Sequence, residues 1–418
     1  MTELINHNIT KLKPSATLAI NERSNDLIAK GIKVYRLGFG QSPFPVPGEV
    51  VRALIDNAHQ KNYLPVRGLG LLRTAVANYH RRKFGLACTA DDVLIGPGSK
   101  ELLFLTQMIY KGDLLLPSPS WVSYEPQSHL ANKRYHWLTT QSNNAYLLDA
   151  AMLESFCANS TEEHRILILN YPSNPTGGSL SSSVLKEIAA VARKYKLLIL
   201  SDEIYGDVHH NGTHESIAKF YPEGTIVSSG LSKWCGAGGW RLGTFIFPKE
   251  LRWLLDKMAV AASETFTTTS APIQYAAVKA YQGGVEIEKY LTHSRLILRK
   301  VAEACSDILL SYHIQHPRPE GGFYLMPDFS FYKETLHSRG IFSSAQLCER
   351  LLEETGVALL PLSDFGMPED FLGARLSYVD FDGAKAIDMI EHNPAVHARE
   401  LAPKVMEGME VLVKWFRH

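Results

Sequence analysis

The chain has 418 residues, 45% hydrophobic and 21% charged, with 43 lysines plus arginines against 43 aspartates plus glutamates. That length is too great for one simple core and implies two or three domains. The balanced charge argues against a nucleic-acid binder, whose affinity rests on surplus positive charge. Cys88, Cys157, Cys235, Cys305 and Cys348 are odd in number and form no CxxC pair, so reduced thiols are expected rather than disulfides or a zinc site. The first residues carry no signal pattern, and no apolar run nears the ~18 residues of a membrane span. A soluble, cytoplasmic protein is expected.

In chain order, "DVLIGPGS", "DLLLPSPS", "RILILNYPSNPTGG", "LLILSDEIY" and "TIVSSGLSK" are short apolar runs that end in polar or turn residues. Runs without alternation suit strands buried on both faces, as in a parallel sheet. Between them "SKELLFLTQMIYK" and "SSSVLKEIAAVARKYK" have helical spacing, the second with Val184, Leu185, Ile188, Ala189 and Ala192 on one face. Alternating strand and helix means an α/β fold. After about residue 300 the texture changes. "GGFYLMPDFS", "GVALLPLS" and "ARLSYVDF" predict strands, and helices are expected over 344–355, 382–391 and 395–416. The division that follows is an N-terminal segment over 1–50 joining a small α+β domain at 306–418, with a large domain over 51–305.

In an open α/β sheet, ligands bind beyond the carboxyl ends of the strands. Gly98 and Ser99, Trp121, Asn174, Asp202 and Lys233 all fall just after such a run. "GPGSKELL" completes neither a dinucleotide fingerprint nor a P-loop, but its glycine turn before a helix can seat a phosphate. "LSKWCGAGGWRLG" then sets Lys233 among small residues and glycines, with Arg241 eight residues on. A lysine forms Schiff bases with aldehydes, and a carboxylate such as Asp202 can keep a pyridine nitrogen protonated. Pyridoxal phosphate, which has the phosphate, the aldehyde and the pyridine, meets these requirements. Taken singly, Asn174 reads as a turn, Asp202 as a helix cap, Trp121 as core and Arg375 as a surface charge. His209–His210 reads as a solvated pair in a polar loop, and no metal site is expected.

Together, "SNPTGG", "SDEIY" and "SKWCGAGGWRLG", in this order, resemble the class I/II aminotransferases of PLP fold type I. "PSATLAINERSNDLIAKGIKVYRLGFGQSPF", "KNYLPVRGLGLLRTAVANY" and "PSWVSY" are similar to the bacterial aspartate-aminotransferase branch, from about residue 14 to "ARLSYVDF". The resemblance implies a large domain with a mostly parallel sheet between helices. It implies that Lys233 carries the cofactor and moves the proton, Asp202 pairs with the pyridine nitrogen, and Asn174 and Tyr205 donate to the ring O3′. Trp121 would stack on the ring, and Arg241 with Gly98, Ser99 and Lys100 would hold the phosphate. Tyr63 would reach the site of a neighbouring subunit in a homodimer. Arg375 would grip the substrate α-carboxylate, with Gly40 closing over it and Asn174 and Trp121 beside it.

Two departures stand out. The family often has a serine three residues before the lysine. This chain has Gly230, so Ser229 or Ser232 has to stand in. The family's "PDF" reads "SPF" here, at Ser42, Pro43 and Phe44. The expected activity is transamination between an L-amino acid, with aspartate suggested by the branch, and a 2-oxo acid such as 2-oxoglutarate. A C–S β-lyase or a related eliminating enzyme, aminocyclopropane-carboxylate synthase among them, is the alternative on the same scaffold. A transcription factor with an aminotransferase-like module is not expected, because the match begins near Pro14 and the net charge is zero.

Overall fold

The computed structural model describes residues 4–10, 12, 14 and 16–417; part of the N-terminal segment assigned above thus lies outside the described residues. The apolar runs become strands of one sheet: β1 (Val93–Gly96), β2 (Asp113–Ser118), β4 (Arg165–Asn170), β5 (Leu198–Asp202) and β6 (Thr225–Gly230). Two more strands complete it, β3 (Tyr135–Thr139) and β7 (Gly243–Ile246), in the order β1-β7-β6-β5-β4-β2-β3. Strands β3, β2, β4, β5 and β6 pair in parallel, and β7 runs antiparallel between β6 and β1.

The runs lack alternation because both faces are covered. Leu114, Leu116, Ile166, Ile168, Leu198 and Leu200 pack into one hydrophobic cluster. Their in-between neighbours Leu115, Leu167, Leu169 and Ile199 pack into another, on the opposite face. Each such side chain contributes roughly 1.5–3 kcal/mol by leaving water. The helix Ser182–Lys194 covers the second face with Leu185, Ile188, Ala189 and Ala192, and the Ser181 hydroxyl accepts from the Val184 amide to cap it. The helix Ser99–Ile109 covers the first face with Leu102, Leu103 and Leu105.

A three-stranded antiparallel sheet follows: β8 (Tyr324–Leu325), β9 (Leu360–Pro361) and β10 (Ala374–Ser377), in the order β8-β10-β9. The N-terminal segment is bonded to this part: the Tyr35 amide donates to Gly356 O at 2.9 Å, and the Ser377 amide to Leu37 O at 2.6 Å. Residue 305 lies inside one unbroken helix, Val285–Ser311, so the change of texture marks no linker. The helix expected over 395–416 is two, Ala398–Leu401 and Pro403–Trp415, because Pro403 has no amide hydrogen to continue the first. The reading of His209–His210 as solvated is corrected. Both are buried, and burial pushes each down to about 4, so they are neutral. The loop is polar in sequence, but its His210 ring lies 3.3 Å from Tyr378 Oη, inside the molecule.

Candidate active site

The carboxyl ends of β1, β2, β4, β5 and β6 open onto one cavity of about 420 Å³. Ser99 and Lys100, Trp121, Asn174, Asp202 with Tyr205, and Lys233 reach it from these five strand ends. Arg241 comes from the turn before β7, Gly40 from the N-terminal segment, and Arg375 from β10 of the small sheet. Gly98 is not itself on the cavity wall but stands directly before the Ser99 helix. Tyr63 is not brought to the cavity of its own chain: it is 88% exposed.

One end of the cavity is built from bare backbone. Gly96, Gly243 and Gly230 lie side by side across β1, β7 and β6. A Cβ on Gly243 would overlap the Ser99 amide nitrogen, and one on Gly98 would overlap the Arg241 guanidinium. Gly98 also has a positive φ, +93°, where a side chain is strained. The absent side chains let the helix start and Arg241 crowd together. That leaves unbonded helix-start amides and a guanidinium facing one spot, an anion seat. Gly230 cannot take the serine of the resemblance, since its Cβ would come 2.7 Å from Leu242 O. Of the two stand-ins, Ser232 is on the cavity wall and Ser229 is not. Arg241 itself sits at φ 53°, a left-handed backbone rare for a side-chain-bearing residue, and its Nη1 donates to Gly238 O at 2.9 Å.

The opposite end is built from side chains. Arg375 is 2% exposed; Nη2 donates to Gly38 O at 2.6 Å, Nη1 to Asn174 Oδ1 at 3.3 Å, and Nε has no partner. A buried guanidinium with no carboxylate in an ion pair among the described residues is costly unless a ligand supplies the anion. Asn174 is held in turn by Asn170, whose Oδ1 accepts from the Asn174 amide and whose Nδ2 donates to Asp202 O.

Between the two ends lie Lys233 and Asp202. Burial pushes the Lys233 ammonium down from its ordinary range, and Arg375 and Arg241 act in the same direction, against Tyr324 and Asp202. Its Nζ donates to Gly40 O at 2.7 Å and lies 5.5 Å from the Tyr205 ring centroid. A depressed lysine supplies the free amine that attacks an aldehyde. Burial pushes the Asp202 carboxyl up to about 6, opposed by hydrogen bonds from Tyr124 at 2.7 Å and Ser228 at 3.4 Å. A carboxylate so dry is stabilised by any cation placed beside it. Trp121 stands edge-on to Tyr124, and Lys100 Nζ lies 5.0 Å from its ring centroid. Burial, and then Arg241 and Lys233, lower the Lys100 ammonium. Tyr124 and Tyr324, both on the cavity wall, were not singled out from sequence. A tyrosine inside an apolar run reads as core until its hydroxyl partner is known.

Pyridoxal phosphate fits these residues: an anion seat at one end, a lysine of lowered basicity in the middle, and a buried carboxylate with no ion-pair partner among the described residues. A family model described as aminotransferase class I and II matches residues 32–378. An aspartate aminotransferase of Bacillus sp. (strain YM-2) is 33% identical over 94% of this chain and 97% of its own length. An asparagine–oxo-acid transaminase of Streptococcus mutans is 30% identical over 95% of this chain and 98% of its own. Among solved structures, aspartate aminotransferase from Thermus thermophilus with maleate superposes with a TM-score of 0.85 at 26% identity, covering 98% of this chain and 99% of that one. The fold is therefore PLP fold type I. The chain belongs to the class I and II aminotransferases: it is a pyridoxal-phosphate-dependent enzyme that moves an amino group between an amino acid and a 2-oxo acid. Among the described residues, no helix is long and apolar enough to cross a membrane.

Proposed function

We propose that the amino donor is aspartate and the acceptor 2-oxoglutarate. The observation that carries this is a count of cations in one cavity. Arg241, Arg375 and Lys100 all reach it besides Lys233. The phosphate takes Arg241 with the backbone amides of Ser99 and Lys100, and the α-carboxylate takes Arg375 as a planar two-bond contact. The Lys100 ammonium is then left for a second carboxylate, the one on the aspartate or glutamate side chain. Names of relatives support the same donor.

Pyridoxal phosphate, when bound, supplies the aldehyde that receives the amino group and a ring that takes up the electron pair released at Cα. Lys233 would hold the cofactor through its amine, and that amine would take the proton from the substrate Cα and hold it for return. Asp202 would keep the ring nitrogen protonated, Asn174 and Tyr205 would donate to the ring hydroxyl oxygen, and Trp121 would cover the ring face. Gly40 carries a carbonyl beside Lys233 and closes the carboxylate end. The small sheet with the N-terminal segment is the part that closes on the large one, excluding water as Arg375 takes its ligand. The protein works as a cytoplasmic homodimer, with Tyr63 completing the phosphate seat of the neighbouring subunit; its 88% exposure on its own chain suits that role. Its five unpaired, buried cysteines suit a reducing compartment.

The test is a panel of amino donors against 2-oxoglutarate. Aspartate is expected to give the highest kcat/KM, ahead of asparagine, alanine and the aromatic amino acids. Asparagine ahead of aspartate removes the role of Lys100, and 2-oxo acid release without an amino acceptor points to elimination instead. For the shared site, mixing an inactive Tyr63 variant with an inactive Lys233 variant restores activity in hybrid dimers. No recovery after subunit exchange overturns it.

A further inference from the structure

We infer that Tyr324 is a positioning residue: its hydroxyl donates to the Tyr205 hydroxyl and leaves the Tyr205 proton free to point into the cavity. The two oxygens lie 2.9 Å apart, deep in the molecule, with Tyr205 3% and Tyr324 1% exposed. Among the described residues neither hydroxyl has another hydrogen bond. Two phenols sharing one bond have two protons, and one is consumed between them. If Tyr205 gave its proton to Tyr324, nothing would be left to donate to a ligand. If Tyr324 gives, Tyr205 becomes a free donor, and a stronger one for accepting a bond itself.

The surroundings favour Tyr324 as the giver. The Arg375 guanidinium lies 4.6 Å from the centroid of the Tyr324 ring, where a positive charge stabilises negative charge developing on that phenol. The charged groups acting on Tyr205 are Arg375 and Asp202, with Lys233 Nζ 5.5 Å from its ring centroid. Space for the Tyr324 hydroxyl is kept by Gly40, where a Cβ would come 2.5 Å from Tyr324 Oη. The ring cannot drift, because its backbone is clamped twice. Tyr324 pairs with Ser377 of β10, and the turn "SNPTGG" lies against it, with Gly177 accepting the Glu320 and Gly321 amides at 2.8 and 3.1 Å. The same turn thus presents Asn174 and holds Tyr324 in register with Arg375.

This rests on the proposed role of Tyr205, and one titration separates the two. The cofactor-loaded protein, without substrate, is titrated and the pH midpoint of its visible absorbance change recorded. Losing the proton that Tyr205 donates to the ring oxygen raises the midpoint, because charge there is less stabilised and the Lys233 nitrogen joined to the cofactor holds its proton longer. Tyr205→Phe is expected to raise it most. Tyr324→Phe, which keeps the ring under Arg375, raises it by about 0.5–1 pH unit, the effect of one neutral hydrogen bond. In the double variant, Tyr324→Phe adds nothing further. A normal midpoint in Tyr324→Phe alongside a shifted one in Tyr205→Phe overturns this inference alone. An unshifted midpoint in Tyr205→Phe overturns the role of Tyr205 and this inference with it.

Discussion

The two ends of the cavity both await an anion and are made of different things. The end proposed for the phosphate is mostly backbone: the start of the Ser99 helix, laid over the glycines that close β1, β7 and β6, with the Arg241 guanidinium beside it. The carboxylate end is side chain, with Arg375 buried beside Tyr324 and Asn174 and carried by a separate sheet. A permanent ligand suits a seat that cannot move, since backbone amides fixed by a sheet need no reordering. A ligand that must enter and leave on every turnover suits a guanidinium on the part proposed to close. The contrast is between a fixture and a latch, and Lys233 stands between them.

The sharpest break is expected at Lys233, which lies between the two ends. Lys233→Ala is expected to lower kcat by on the order of 10⁴-fold or more, with the visible band of the linked cofactor lost, because nucleophile and proton carrier vanish together. Near-normal turnover would remove it from the chemistry. Next comes the latch. Arg375→Lys keeps a charge and loses the planar fork, so kcat/KM should fall about ten- to a hundredfold or more with every amino acid tried, the cofactor spectrum staying as it was. A loss confined to aspartate and glutamate would show Arg375 reading the side chain instead. At the fixture, Gly243→Ala should weaken cofactor binding about tenfold, measured by titrating the cofactor-free protein, because the added methyl pushes the Ser99 amide away from the seat. Unchanged affinity would mean that the helix start yields without consequence.

The smallest effect concerns stability. Asp202 titrates near 6 when folded and near 3.8 in a free chain. Between those values the unfolded chain releases a proton that the folded one keeps, so stability falls as pH rises through this window. Asp202→Asn, expected to be inactive in transamination, should therefore stabilise the cofactor-free protein at pH 7.5 by on the order of 2 kcal/mol, a few degrees in Tm, and by little at pH 4. Equal melting at both pH values would mean that the carboxylate is better solvated than its burial implies.

Much of this was legible in the sequence, because parallel strands buried on both faces write themselves as apolar runs and their carboxyl ends carry the site. Asp202 is the last residue of β5, and Lys233 lies three residues beyond the end of β6. What escaped has physical causes. Strand β3, "YHWLT", lies at the sheet edge with a half-buried pattern, and β7, "GTFI", is four residues hidden behind a glycine-rich turn. The small-sheet strands β8 and β9 fall inside the runs "GGFYLMPDFS" and "GVALLPLS" that predict them, but at two residues each they are much shorter than those runs imply. Tyr324 lies in an apolar run of small-domain sequence, and only the approach of Tyr205, 119 positions away, reveals its hydroxyl as polar equipment. Gly230 looked like a missing serine, but beside Gly243 a serine does not fit.

The row Gly96–Gly243–Gly230 also bears on how such a protein can change over generations. Every missense change at these three codons adds at least a Cβ where Leu102, the Ser99 amide or Leu242 O already stands, so inherited variation there meets a steric wall at its first step. Around Lys100 and Gln41 the wall of the same cavity is made of side chains, and exchanging one for another leaves the backbone where it was. New appetites for amino acids therefore have an open route in this molecule, and a new cofactor does not.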